Sequence, residues 1–348
     1  MPHSRLNSAG IVLGLLLSCS IFAAESVPLN PTHPDRHVVV KGDTLWDIAG
    51  KFLQHPWQWP EIWQANPQIA NPHLIYPGDI IVLSFAGGKP RLSIQRGPGS
   101  RSIKLSPHMR SVPLDTSIPT IPMGDIQPFL AKNYALDKAE LDAAPYVVGF
   151  KDEHIAGTTG KTIYVRSINT NEHSRYDVIR PGEPYKDADT GEILGYEGIY
   201  IGAAELQRTG DPASLYLLHT KQEVLPGDRL LPASNNATLK DFFPRVPVAE
   251  ISGSIIDLFN GVNQIGQYNI VVLDRGTADG LTIGDVLAVD QRGETVFDRV
   301  DPNPQAKVTL PDEEAGILMV FRTFPRVSFG IIMSATTAIN VLDKVRNP

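Results

Sequence analysis

Residues 37–83 read HVVVKGDTLWDIAGKFLQHPWQWPEIWQANPQIANPHLIYPGDIIVL, and this stretch decides the architecture of the first part of the chain. A β-branched run, Val38–Val40, favours a strand. Gly42 supplies a turn out of it. Asp43 or Thr44 stands where a helix needs an acceptor for its unpaired first amides. Leu45, Ile48, Ala49 and Phe52 then recur at helical spacing and define one apolar face. A second helix carries Ile62 and Ala65 with Trp63 nearby. Pro60 suits its first turn, and Pro67 after Asn66 ends it. Tyr76-Pro77-Gly78-Asp79 is a turn with Pro second and Gly third, and it opens a closing strand, Ile80–Leu83.

The order strand–helix–helix–strand, with GDTLWDIA, N-P and LIYPGD in place, resembles the LysM module, a small domain that binds the glycan of bacterial cell walls. The resemblance implies a shallow groove between two loops. Gly42, Asp43, Thr44 and Leu45 form one side, and Asn71, Leu74 and Ile75 the other. Backbone amides and carbonyls there hold the N-acetyl group of an N-acetylglucosamine-containing glycan, peptidoglycan, over apolar side chains. The same residues also have plain structural readings, Leu45, Ile48 and Ile75 as core and Asp43 as a cap. The segment Gln54–Pro60 is longer and more aromatic than is usual between the two helices. Trp57 and Trp59 are either a sugar-stacking platform or a pair that packs the loop onto the module.

The chain has 348 residues, 42% hydrophobic and 20% charged, enough for two or three domains with proper cores. A formal charge of -7 gives no general attraction to a phosphate backbone, so no nucleic-acid partner is expected. Residues 1–24 read as an export signal, with Arg5, an apolar core at Ile11–Leu17 and a small-residue exit at Ala23-Ala24. Export places the protein in the periplasm. Cys19 is the one cysteine and lies inside this segment. It partly resembles a lipoprotein box, and with ordinary cleavage the mature chain has no thiol.

After a Pro-rich lead-in at 25–36 and the module at 37–84, residues 85–130 read as a basic Pro/Gly linker. It holds isolated short strands at Arg91–Gln95 and Ser102–Leu105. From 131 a short helical stretch precedes strands at Tyr146–Phe150, Thr162–Arg166, Tyr176–Ile179, Gly198–Glu205, Leu215–Thr220 and Arg229–Pro232. A break near 236 leads to a second set: Ala249–Leu258, Asn269–Leu273, Val286–Asp290, Gly316–Thr323, Phe329–Ala335 and a final segment through Val345. Each set pairs Gly-acid turns with antiparallel strands. The fold class is therefore α+β: a small βααβ module, then a β-rich duplicated C-terminal region at 131–235 and 236–348.

This plan resembles the LysM-containing proteins associated with the type IV pilus secretin. Its last part, IVVLDRGTADGLTIGDVLAV, is similar to the C-terminal domain of a flagellar ring-associated protein. The resemblance implies a noncatalytic protein that attaches an outer-membrane secretin ring to peptidoglycan, in multiple copies around the ring. Phe321, Phe324 and Phe329 are candidates for the secretin contact, or for core. The rival is a wall hydrolase or hydrolase activator targeted by the module. No HxH, HExxH, GxSxG or SxxK pattern supports it, and Asp152, Glu153, Glu172, Glu183, Glu197 and Glu205 lack a flanking motif that marks a glycosidase pair. No enzyme activity, cofactor or metal is expected.

Overall fold

The computed structural model describes residues 27–63, 75–95, 118–121, 134–153, 155–233, 242–259, 265–300, 302–303 and 305–348. The expected Ala65, Asn66, Pro67 and Ser102–Leu105 lie outside these residues.

The first unit holds β1 (Arg36–Val38), α1 (Leu45–Phe52), a 3-10 turn (Pro56–Gln58), α2 (Trp59–Trp63), β2 (Ile80–Ala86) and β3 (Lys89–Gln95). Thr44, rather than Asp43, caps α1, its hydroxyl accepting the Asp47 amide at 3.1 Å. The apolar face of α1 is buried as the spacing predicts, with Leu45, Ile48, Ala49 and Phe52 all at 3% exposure or less. β2 pairs antiparallel with β1 and with β3. The β2–β3 turn is Gly87-Gly88 with φ of 58° and 77°, the two positive-φ residues a tight hairpin turn demands. Arg91–Gln95 is thus no isolated strand in a linker. It belongs to β3, which completes a three-stranded sheet, so the sheet runs past the expected boundary at 85.

The rest of the described chain is mostly strand. β4 (Tyr134–Leu136) and α3 (Lys138–Ala143) precede β5 (Tyr146–Phe150), β6 (Thr162–Arg166), β7 (Arg175–Lys186), β8 (Ile193–Arg208), β9 (Ala213–Thr220) and β10 (Arg229–Pro232). The sheet order is β4-β8-β7-β10-β5-β6-β9, and an additional β8–β9 pairing closes the last six into a ring. Then come β11 (Ser252–Leu258), β12 (Ile270–Leu273), β13 (Val286–Gln291), a side hairpin of β14 (Thr295–Phe297) and β15 (Lys307–Thr309), β16 (Glu313–Thr323), β17 (Ser328–Ala335) and β18 (Lys344–Arg346). Six of these close a second barrel, β11-β12-β17-β16-β13-β18. With β14 and β15 set aside, both rings run first-second-fifth-fourth-third-sixth in chain order.

One turn recurs before β2, β10, β13 and β18. The amides of Asp79, Asp228, Asp285 and Asp343 donate to the carbonyls of Tyr76, Leu225, Thr282 and Asn340, three residues back. Each aspartate's carboxylate accepts the amide of that same residue at 2.7–3.1 Å. All four aspartates are buried. The residue before each has positive φ: Gly78 at 97°, Gly227 at 92°, Gly284 at 96° and Leu342 at 77°. Only Leu342 carries a Cβ there, in a region that L-residues avoid. Leu342→Gly should therefore stabilise the second barrel by about 0.5–1 kcal/mol, relief of strain outweighing the added freedom of the unfolded chain. Thermal unfolding checks this, and a lowered midpoint would refute it.

The second barrel explains its own sequence. Val271, Leu273, Leu287, Val289, Leu318, Val320 and Ile332 share one core cluster. Their neighbours Ile270, Val272, Val286, Ala288, Ile317, Met319, Phe321, Phe329 and Ile331 share another. Strand alternation assigns these to opposite faces, and both are buried, so runs such as GILMVF read as apolar throughout. Phe321 and Phe329, 1% and 0% exposed, are core and offer no surface to a partner. The second cluster also includes Trp46 and Trp57 of the first unit and Tyr185 and Leu194 of the β7–β8 hairpin. At the tip of that hairpin Asp187 meets Arg275 at 3.2 Å and Glu192 meets Arg326 at 2.8 Å.

Candidate functional site

The β1–α1 loop is built by its own polar groups. Asp43 accepts the Val40 amide at 3.0 Å and lies 2.8 Å from the His37 ring. Lys51 stands 3.9 Å away. Burial alone would raise the Asp43 pKa, but the Val40 amide, the His37 ring and Lys51 together hold it below the ordinary aspartate value. The sign follows from linkage. A carboxylate with a depressed folded pKa adds stability above its unfolded pKa and loses it as pH falls through the folded one. Below about pH 4 the loop should therefore weaken, within the aspartate range. In thermal melts at pH 7 and pH 3, Asp43→Asn should narrow the gap between the two midpoints. An unchanged gap would show that Asp43 carries none of the acid sensitivity.

Gly42, exposed with φ of 101°, makes the turn that delivers this loop. Thr44 and Leu45 are buried at 3%, and Ile75 on the opposing loop is fully buried. Asn71 and Leu74 lie outside the described residues. Leu45 and Ile75 both pack in the core of the first unit. The amides of Leu45 and Trp46, at the start of α1, have no acceptor within the helix. They and the Ile75 carbonyl bond instead to residues distant in the chain.

A short segment far along the chain reaches the same place. Leu45 donates to the Pro119 carbonyl and Trp46 to the Thr120 carbonyl, each at 3.0 Å. The Ile118 amide donates to the Ile75 carbonyl at 2.9 Å. Ile118 sits in the core of the first unit and Ile121 in the cluster on the second barrel. Sequence reasoning treated residues 85–130 as linker and missed this. The available signal was the spaced pair Ile118 and Ile121 within SIPTIP, apolar residues in an otherwise polar Pro-rich run.

Trp57 and Trp59 are 8% and 2% exposed, so neither ring presents an open face to a sugar. Trp57 packs in the cluster on the second barrel. Trp59 packs in the core of the first unit, edge-on to Trp63 at 6.3 Å, and also meets Phe243 at 6.1 Å. Among the acids, Glu172 and Glu205 line an open depression with His173, Ser174 and Arg175. Glu197 is pushed up by burial first and then by Asp257 and Glu183. Among the described residues no group of three His, Cys, Asp or Glu side chains is placed to hold a metal ion.

Comparison with known proteins agrees with the first unit. Residues 37–84 match the family described as LysM domain. A protein of Bacillus subtilis (strain 168), "Uncharacterized protein YqbP", is 42% identical over 55 residues. That similarity covers 13% of this chain and 25% of the relative, so the chain spans only a quarter of it. Residues 37–84 of this chain therefore form a LysM domain.

Proposed function

We propose that this is a noncatalytic peptidoglycan-binding protein of the periplasm that anchors an outer-membrane secretin ring of the type IV pilus machinery to the cell wall. The LysM domain at 37–84 is the observation that carries the glycan half of this reading. Gly42, Asp43, Thr44 and Leu45 with Asn71, Leu74 and Ile75 are its glycan-binding residues, acting mainly through backbone groups. The two barrels with one strand order are read as a diverged duplication, and they supply the grip on the ring. The secretin half rests on the resemblance of the whole plan: export signal, one LysM domain, a basic connecting stretch and a β-rich remainder. One LysM domain holds glycan weakly. Copies arranged around a ring gain by avidity, because each later contact is effectively intramolecular.

Two measurements on the full mature chain test this. It should cosediment with purified sacculi, and soluble N-acetylglucosamine oligomers should compete. Tagged chain drawn from solubilised outer membranes should bring a secretin with it. Recovery without any secretin overturns the anchoring role, and release of soluble wall fragments by the chain alone would replace it with a hydrolase.

A further inference from the structure

We propose that Ile118–Ile121 is a built-in competitor that occupies the glycan groove of the LysM domain and must leave before glycan binds. The inference rests on the reading of that groove as the glycan site.

Three backbone bonds carry it. The Leu45 and Trp46 amides lie at the end of one groove loop and the Ile75 carbonyl on the other, and residues 118–120 take all three. An N-acetyl group is a secondary amide and offers the same kinds of group, a carbonyl acceptor and an N–H donor, as the three peptide units that now supply these bonds. Peptide and glycan therefore compete for identical partners. Side-chain burial points the same way. Ile118 is 6% exposed and packs in the core of the first unit, so the segment is seated on that unit and does not merely pass across it.

The occupant is also displaceable. The buried Thr120 hydroxyl has no hydrogen-bond partner among the described residues, so the closed state retains an unmet desolvation cost. Pro119 has no amide to donate and binds through its carbonyl alone. Residues 96–117 separate the segment from the end of β3. A competitor on the same chain binds intramolecularly, so it opposes a weak single-module ligand.

The segment joins two units as well. Ile118 packs in the LysM core, while Ile121 packs in the cluster on the second barrel beside Trp46 and Trp57. Withdrawal of the segment removes one of the ties between them. Glycan binding and barrel docking are therefore coupled with opposite sign, and the coupling is reciprocal. A partner that loosens the barrel from the LysM domain opens the groove.

The test is titration of chitopentaose into the full mature chain and into a variant with Ile118–Ile121 replaced by Gly-Ser-Gly-Ser. Thermal melting confirms that each is folded. The variant should bind on the order of tenfold tighter, because apparent affinity is the intrinsic value reduced by the fraction of open groove. Hydrogen exchange at the Leu45 and Trp46 amides gives an independent readout: protected in the parent, exposed in the variant, protected again with glycan. Should the four-residue variant fail to fold, Ile118→Ser leaves Ile121 in place and should shift affinity in the same direction by less. Equal or weaker binding by the folded variants overturns the competitor and leaves the glycan site standing. No binding by parent or folded variant overturns the glycan reading of the groove itself.

Discussion

Replacing Phe329 with alanine should destabilise the second barrel by about 3–5 kcal/mol, the range for truncating a fully buried aromatic ring. Phe329 is 0% exposed and lies on the strand face opposite the barrel's interior cluster. Its ring meets Phe324 at 5.0 Å, Phe259 at 5.1 Å, and Phe321 and Tyr185 at 6.5 Å. The vacated volume is bordered by Phe321 of β16, Phe324 of the β16–β17 turn, Phe259 just past β11 and Tyr185 of β7; β16 and β17 share one ladder of the barrel, and β7 is held in the other sheet. They cannot collapse together, so the full cavity cost remains. Urea denaturation measures it. Phe297→Ala on the exposed β14–β15 hairpin is the control, since that side chain is 57% exposed and its loss should fall within about 0.5 kcal/mol. A small effect at Phe329 would mean that the aromatic cluster is loosely packed.

Asp228→Ala should cost about 3 kcal/mol, through loss of a buried, hydrogen-bonded carboxylate. Asp228 receives Arg180 Nε at 2.8 Å and Nη2 at 2.9 Å, and the Leu225 amide at 2.8 Å. The carboxylate side chain is 3% exposed and the arginine 29%. Without Asp228, Arg180 regains some water, which keeps the loss below that of a fully buried unpaired charge. The Leu225 amide is left without its acceptor at the point where β10 enters the ring. Asp228→Asn keeps an acceptor for that amide but loses the charge, so an intermediate loss is expected. Denaturation midpoints of the two variants decide the matter: equal losses would assign the whole effect to the ion pair. In the second barrel Asp343 holds the corresponding place with the Arg292 amide, 3.0 Å away, where the first has Arg180. The backbone turn is shared, and the partner beyond it differs.

The sequence by itself determined the local elements. Capping, spacing and turn chemistry act within a few residues. Hence the α1 face, the Tyr76–Asp79 turn and the two strand sets could be read directly. The buried aspartates before β2, β10, β13 and β18 follow the same logic, because each satisfies an amide only three residues away. Leu342 shows its limit, since nothing local announces a leucine at positive φ. The LysM domain was legible for the same reason, as its groove loops are short and their residue types are set by backbone shape.

Only the tertiary structure decided what lies on the far side of each element. Ring closure depends on pairings such as β8 with β9 and β11 with β18, which hydropathy does not encode. The second barrel's strands are apolar on both faces because the LysM domain and the β7–β8 hairpin cover the outer one. A continuous apolar run does not reveal its cover, and so Phe321 and Phe329 were open to a surface reading. Trp57 and Trp59 were ambiguous for the same reason: an aromatic ring serves a sugar or a neighbouring domain equally well. The placement of Ile118–Ile121 is the clearest case. Its bonds are to backbone groups of Leu45, Trp46 and Ile75, which carry no side-chain signature, and they span more than forty residues of intervening sequence. Contacts between backbone groups distant in the chain become visible only when the whole chain is folded.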